Sequence, residues 1–127
     1  MSRDTSDTSD TRATRGQRST VALRGKFERI ESHWGPQVIA EMNDHQFKVV
    51  RLQGDFLWRS RAHSDETYFV FDGELRLDFR DRSVLLRAGE MAVVPKGVEH
   101  KPYAADEVKL LLIARRDIDP SAQERWI

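Results

Sequence analysis

Between Val38 and Ala114 the apolar residues come in short runs with a period of two, and polar or glycine-containing turns punctuate them. A chain patterned this way cannot build long helices there. It must pair many short strands and leave few edges open. The clearest run is Glu74–Arg80: Leu75, Leu77 and Phe79 point one way, while Glu74, Arg76, Asp78 and Arg80 point the other, as in a half-buried antiparallel strand. Further strands are predicted at Val38–Glu41, Gln46–Arg51, Phe56–Arg61, Glu66–Phe71, Ser83–Arg87, Met91–Val94, His100–Tyr103 and Val108–Ala114. Asn43-Asp44 separates the first two, Asp72-Gly73 signals a two-residue hairpin, and Arg80-Asp81-Arg82, Ala88-Gly89 and Lys96-Gly97 supply later turns. So many short strands at regular spacing predict an all-β sandwich or barrel.

The flanks read differently. Residues 1–19 hold almost nothing apolar beyond Met1 and Ala13. They cannot bury enough surface to offset the entropy of ordering, so a disordered tail is predicted. Over residues 20–35, Leu23, Phe27, Ile30 and Trp34 form an amphipathic stripe. This predicts a short helix, with Ser19 or Thr20 as its cap and Gly35-Pro36 as its end. The strands then occupy 36–115, and a polar C-terminal tail follows at 116–127.

Composition narrows the chemistry. Lys plus Arg and Asp plus Glu both number 21 in the 127 residues, so the formal net charge is zero. That balance argues against a general nucleic-acid binder. There is no cysteine, which excludes disulfides, thiolate nucleophiles and thiolate metal sites. No apolar run approaches the roughly 20 residues of a membrane span, and the N-terminus lacks a signal-peptide stretch. The reading is a cytoplasmic domain without a membrane or nucleic-acid partner.

One motif is specific. In Gly89-Glu90-Met91-Ala92-Val93-Val94-Pro95-Lys96-Gly97-Val98-Glu99-His100, a glycine turn enters an apolar strand, Pro95 and Gly97 build the next turn, and His100 opens the strand after it. Gly89, Pro95, Gly97 and His100 match the four fixed positions of the second motif of the cupin superfamily, so the chain resembles a small single-domain cupin, of the mannose-6-phosphate-isomerase-like kind. Gly54, Glu66 and Gly73 resemble the glycines and the glutamate of the first motif. The resemblance covers about residues 25–114 and implies a double-stranded β-helix, the jelly-roll barrel, with a short N-terminal helix. It also implies a homodimer in which an N-terminal strand, here Val38–Glu41, joins the partner's sheet.

The family's four usual metal ligands would fall at positions 59, 61, 66 and 100. This chain has Arg59, Arg61, Glu66 and His100 there. Guanidinium groups stay protonated and cannot ligate, and each repels a cation 4 Å away by about 4 kcal/mol at an intermediate dielectric. No cofactor is therefore expected. The alternative is a divalent metal held by His63, Glu66 and His100, if 59, 61 and 63 share one extended face.

The expected inward set is Arg59, Arg61, Glu66 and His100, with Tyr68 and Trp58 as neighbours. With neutral histidine it carries one net positive charge. Either one arginine pairs with Glu66 and the other reaches solvent, or the surplus charge binds a small anionic molecule, a carboxylate or phosphate. If there is catalysis, His100 and Glu66 shuttle protons in metal-independent isomerase, epimerase, dehydratase or cyclase chemistry, with the arginines on the substrate anion. A non-catalytic sensor or scaffold is the remaining alternative. His33, His45, Asp65, Lys96 and Glu99 are expected at the surface.

Overall fold

The computed structural model describes residues 20–30 and 35–116. In chain order the elements are α1 (Leu23–Glu28), β1 (Gln37–Met42), β2 (His45–Asp55), β3 (Glu66–Asp72), β4 (Glu74–Phe79), β5 (Ser83–Arg87), β6 (Met91–Val94) and β7 (His100–Arg115). The strands form one seven-stranded sheet with neighbours in the order β1-β2-β7-β3-β6, and β4 pairs with both β7 and β5. All the pairings are antiparallel. The expected all-β architecture with one short helix is what the chain adopts. The tail expected at 1–19, residues His33 and Trp34, and all of the C-terminal tail except Arg116 lie outside the described residues.

The sheet is built on β7. Along one edge of this strand β2 pairs from His45↔Arg115 to Asp55↔Tyr103. Along the other edge β3 pairs with Leu110 to Ala114, and β4 with His100 to Tyr103. His100–Tyr103 and Val108–Ala114, expected as separate strands, are thus one strand. The reason is parity: His100, Pro102, Ala104, Val108, Leu110, Leu112 and Ala114 are all buried, and all lie on one face. The exposed pair Ala105-Asp106 interrupts burial without breaking the alternation.

Asp72-Gly73 does not make a hairpin. β3 and β4 run in the same direction, one after the other along β7. Gly73 joins them with φ +96°, a region only glycine adopts without strain. A Cβ placed there would stand 2.8 Å from the Glu107 carbonyl oxygen. The dipeptide that favours a tight turn serves here as a corner between consecutive strands. Phe56–Arg61 is likewise not a strand: only Arg59 forms a bridge, to His100. The β1–β2 turn at Asn43-Asp44 and the β4–β5 turn at Arg80-Asp81-Arg82 fall where expected, the first with Asn43 at φ 55° and the second closed by the Phe79 N–H on the Arg82 carbonyl (2.7 Å).

The inner face carries the core: Val50, Leu52, Phe56, Tyr68, Val70, Leu75, Leu77, Leu86, Val94, Ala104, Val108, Leu110 and Leu112. On the outer face Phe27, Ile30 and Val49 form a second cluster with Leu23, Ile39, Phe71 and Leu111. Phe27 stacks on Phe71 with centroids 5.0 Å apart. So the helical stripe is right about its face but too long. α1 starts after Ala22, which makes no side-chain cap, rather than at Ser19 or Thr20. It ends at Glu28, well before Gly35-Pro36, and the Ile30 carbonyl is taken by Arg51 Nη1 at 2.7 Å.

Gly73→Ala should destabilise the fold by about 2–4 kcal/mol, from backbone strain and the clash with Glu107. Urea unfolding would measure it; a loss below about 0.5 kcal/mol would contradict the corner geometry.

Candidate functional site

Glu66 and Tyr68 are alternate residues of β3, and they face the same interior as His100 at the start of β7. All three are buried, at 3%, 0% and 1% exposure. Arg59 is brought to them by backbone pairing. Its N–H donates to the His100 carbonyl and the His100 N–H to its own carbonyl, both at 2.9 Å. Two residues on, the Gly97 N–H donates to the Arg61 carbonyl at 2.8 Å. The Pro95–Val98 turn, closed by a 3.2 Å hydrogen bond, therefore anchors the backbone of Arg61, while His100 itself anchors that of Arg59.

The side-chain contacts define protonation. His100 Nδ1 lies 3.0 Å from the Val98 carbonyl, which only accepts, so Nδ1 carries a proton. In the neutral ring Nε2 then accepts from the Tyr68 hydroxyl, 3.0 Å away. Arg59 Nη2 and His100 Nε2 each lie 3.8 Å from Glu66 Oε1. That is beyond hydrogen-bond length, and Oε1 has no hydrogen-bond partner. Burial by itself would raise the Glu66 carboxyl. The facing His100 ring and the charges of Arg59 and Arg61 outweigh burial and hold it below its ordinary value. Burial pushes the Tyr68 phenol well above its ordinary value, helped by the Glu66 charge and opposed by the two arginines. At neutral pH the site thus presents a carboxylate and a phenol.

The structure brings Arg59, Glu66, Tyr68 and His100 together, and the charge of Arg61 reaches the same carboxylate. It does not bring His63 to them. Beyond Arg59 the chain leaves its bridge to β7 and bends. His63 is exposed, and its carbonyl accepts from Arg115 Nη1 at 3.3 Å. Among the described residues no group of three or more His, Asp or Glu side chains could hold a metal ion. Glu66 and His100, with guanidinium groups at the other two positions, do not fit a divalent metal. Trp58 is half-buried and stacks under Arg80, whose guanidinium lies 3.7 Å from the ring centre and pairs with Glu99 at 2.9 Å. Asp65, Lys96 and Glu99 are exposed as expected.

Sequence reading passed over two inner residues. Gln46 and Lys48 are buried, at 8% and 6% exposure, and share the parity of Val50 and Leu52 on β2. That alternation was the available signal.

With this geometry in view, comparison with known proteins is decisive. A cupin domain family model matches residues 49–114. The chain belongs to the cupin family. A crystal structure of a cupin-2 domain containing protein from Shewanella frigidimarina is 49% identical, with a TM-score of 0.74 over 76% of this chain and 94% of that one. Protein NMB1881 from Neisseria meningitidis is 36% identical, with a TM-score of 0.71 over 77% of this chain and all of that one. The uncharacterized protein YdbB of Bacillus subtilis is 36% identical over 64 residues, which is 50% of this chain and 57% of YdbB. About three quarters of this cupin thus covers nearly the whole of those two crystal structures, and the chain spans little more than half of YdbB.

Because the folded Glu66 carboxyl sits below its ordinary 4.5, the unfolded chain takes up that proton first on acidification. The stability Glu66 contributes is complete at neutral pH and is lost as pH falls from about 4.5 through the lower folded value. Glu66→Gln should flatten the stability profile over that range and cost about 2–3 kcal/mol at pH 7, where Arg59 and Arg61 lose their carboxylate. Chemical unfolding at several pH values would measure both effects; an unchanged acid slope would contradict the charged assignment.

Proposed function

We propose that this cupin binds a small anionic molecule, a carboxylate or phosphate, inside its barrel, and that His100 and Glu66 act on it as a metal-independent acid/base pair. The observation that carries the reading is the pinning of Arg59 by paired backbone hydrogen bonds to His100. It sets a cationic fork, 16% exposed, beside a fully buried Glu66–Tyr68–His100 cluster. Exposure rises from Tyr68 through Arg59, so an anion entering past the arginines meets them first. A guanidinium fork binds such a group in bidentate fashion.

The chemistry follows from the protonation states. Glu66 is a carboxylate, so it serves as base or counter-charge, not as acid. Tyr68 remains a phenol and donates. When it turns its hydrogen bond from His100 Nε2 to the Glu66 carboxylate, Nε2 is released as a base. It can take a proton from a carbon next to a carbonyl and return it to a neighbouring atom, while the arginines stabilise the enolate oxygen. That is isomerase, epimerase, dehydratase or cyclase chemistry.

Two further parts belong to the proposal. The protein forms a homodimer through β1, an edge strand with Val38 and Met42 exposed. It works in the cytoplasm; among the described residues no helix is long and apolar enough to cross a membrane.

Calorimetric titration with acetate, citrate and phosphate tests the anion site. Arg59→Ala and Arg61→Ala should each weaken binding by about ten- to a hundredfold, the worth of one charged hydrogen bond. Absence of any anion binding would favour the scaffold reading. Elemental analysis of protein purified without chelators tests the rival metal reading: a stoichiometric divalent metal lost in His100→Ala would overturn the metal-independent mechanism.

A further inference from the structure

Two buried acceptors on the inner face have no hydrogen-bond partner: Oε1 of Glu66 and Oε1 of Gln46. Their residues are 3% and 8% exposed. The register places them as a pair, because Ala114 on β7 is the partner of Gln46 on one side and of Glu66 on the other. Residues opposed across antiparallel strands share a face. The three therefore form one row on the barrel wall, with the single methyl of Ala114 in the middle. The outer backbones of such a row stand about 10 Å apart, with only the Ala114 methyl between the two longer side chains. Gln46 Nε2 donates to Glu41 Oε2 at 3.3 Å, so its amide is oriented with the carbonyl oxygen as the remaining acceptor.

A buried acceptor without a donor is costly, more so when it is charged. Two of them flanking one small residue call for a ligand group with two donors. An ammonium has enough protons, but Arg59 already lies 3.8 Å from the same Glu66 oxygen, Arg61 acts on the same carboxylate and Lys48 is buried on the same face, so a further cation there would be repelled. Adjacent hydroxyls supply two donors without charge.

We infer that Gln46 and Glu66 form a subsite that selects polyhydroxylated anions: neighbouring hydroxyls of the ligand donate to the two oxygens while its anionic group meets Arg59 and Arg61. This rests on the anion-binding reading above and deepens it. Gln46 becomes a specificity-determining residue.

The test is calorimetry on matched pairs that differ only in hydroxyls: lactate with propionate, tartrate with succinate, gluconate with hexanoate. Aspartate serves as the amine counterpart of succinate. The hydroxylated members should bind at least about tenfold tighter, since a site built to pair hydroxyls rejects analogues lacking them. Tartrate should exceed aspartate. Gln46→Leu, similar in volume but without the acceptor, should cut the tartrate-to-succinate preference about tenfold. Arg59→Ala should weaken both members alike. Equal affinities within the pairs, or aspartate above tartrate, would overturn the hydroxyl subsite and leave anion binding standing. Failure of every carboxylate to bind would overturn both. Should Gln46→Leu not fold, the wild-type pairs decide alone.

Discussion

The side-chain parity of β7 runs unbroken from His100 to Ala114, and the barrel depends on it. One edge of this strand is held by β2 and the other by β3 and β4 in succession. The inward residues of those three strands that pair with β7 are thereby registered against its even-numbered residues. The apolar part of that face, from Pro102 to Leu112, is core. The two ends are polar: His100 at one, and the Gln46–Ala114–Glu66 row at the other. A slip of one residue would turn His100, Leu110 and Leu112 outward together, so the hydrophobic core that fixes register also fixes the site.

The polar site is affordable because its charges are arranged in depth. Glu66, Tyr68 and His100 are almost fully buried, and only the arginines approach solvent. An isolated buried carboxylate would take up a proton; here the guanidinium charges and the facing imidazole keep it ionised. The same arrangement explains why the cupin positions at 59 and 61 change the chemistry. Neutral imidazoles there would offer lone pairs to a cation beside Glu66, whereas guanidinium groups only donate hydrogen bonds and carry fixed positive charge. Fold and carboxylate are retained while the charge facing that carboxylate changes.

Much of this was legible in residue pattern. Ser83–Arg87 and Met91–Val94 are strands with the boundaries that alternation predicts. The glycine, proline, glycine and histidine spacing of residues 89–100 marked the turn that positions His100. The failures are equally local. Asp72-Gly73 favours a hairpin in isolation, but pairing of both flanking strands with β7 leaves no partner for one. Phe56–Arg61 alternates like a strand, yet only Arg59 finds a neighbouring backbone. The Leu23–Trp34 stripe identified the face that packs on Phe71 and overstated the length of the helix, because Arg51 takes the Ile30 carbonyl.

Alternation and turn chemistry are short-range properties, written in neighbouring residues. By themselves they determined that this chain would be an all-β sandwich or barrel, and the resemblance of residues 89–100 to a cupin motif added that Glu66 and His100 would point inward. Which strands lie side by side is a long-range matter, settled by burying one contiguous core. Only that settlement put Gln46 across Ala114 from Glu66, withdrew His63 from the site, and bound Arg59 to His100 through two backbone hydrogen bonds. No local pattern encodes those distances, because each joins segments that meet only when the barrel closes.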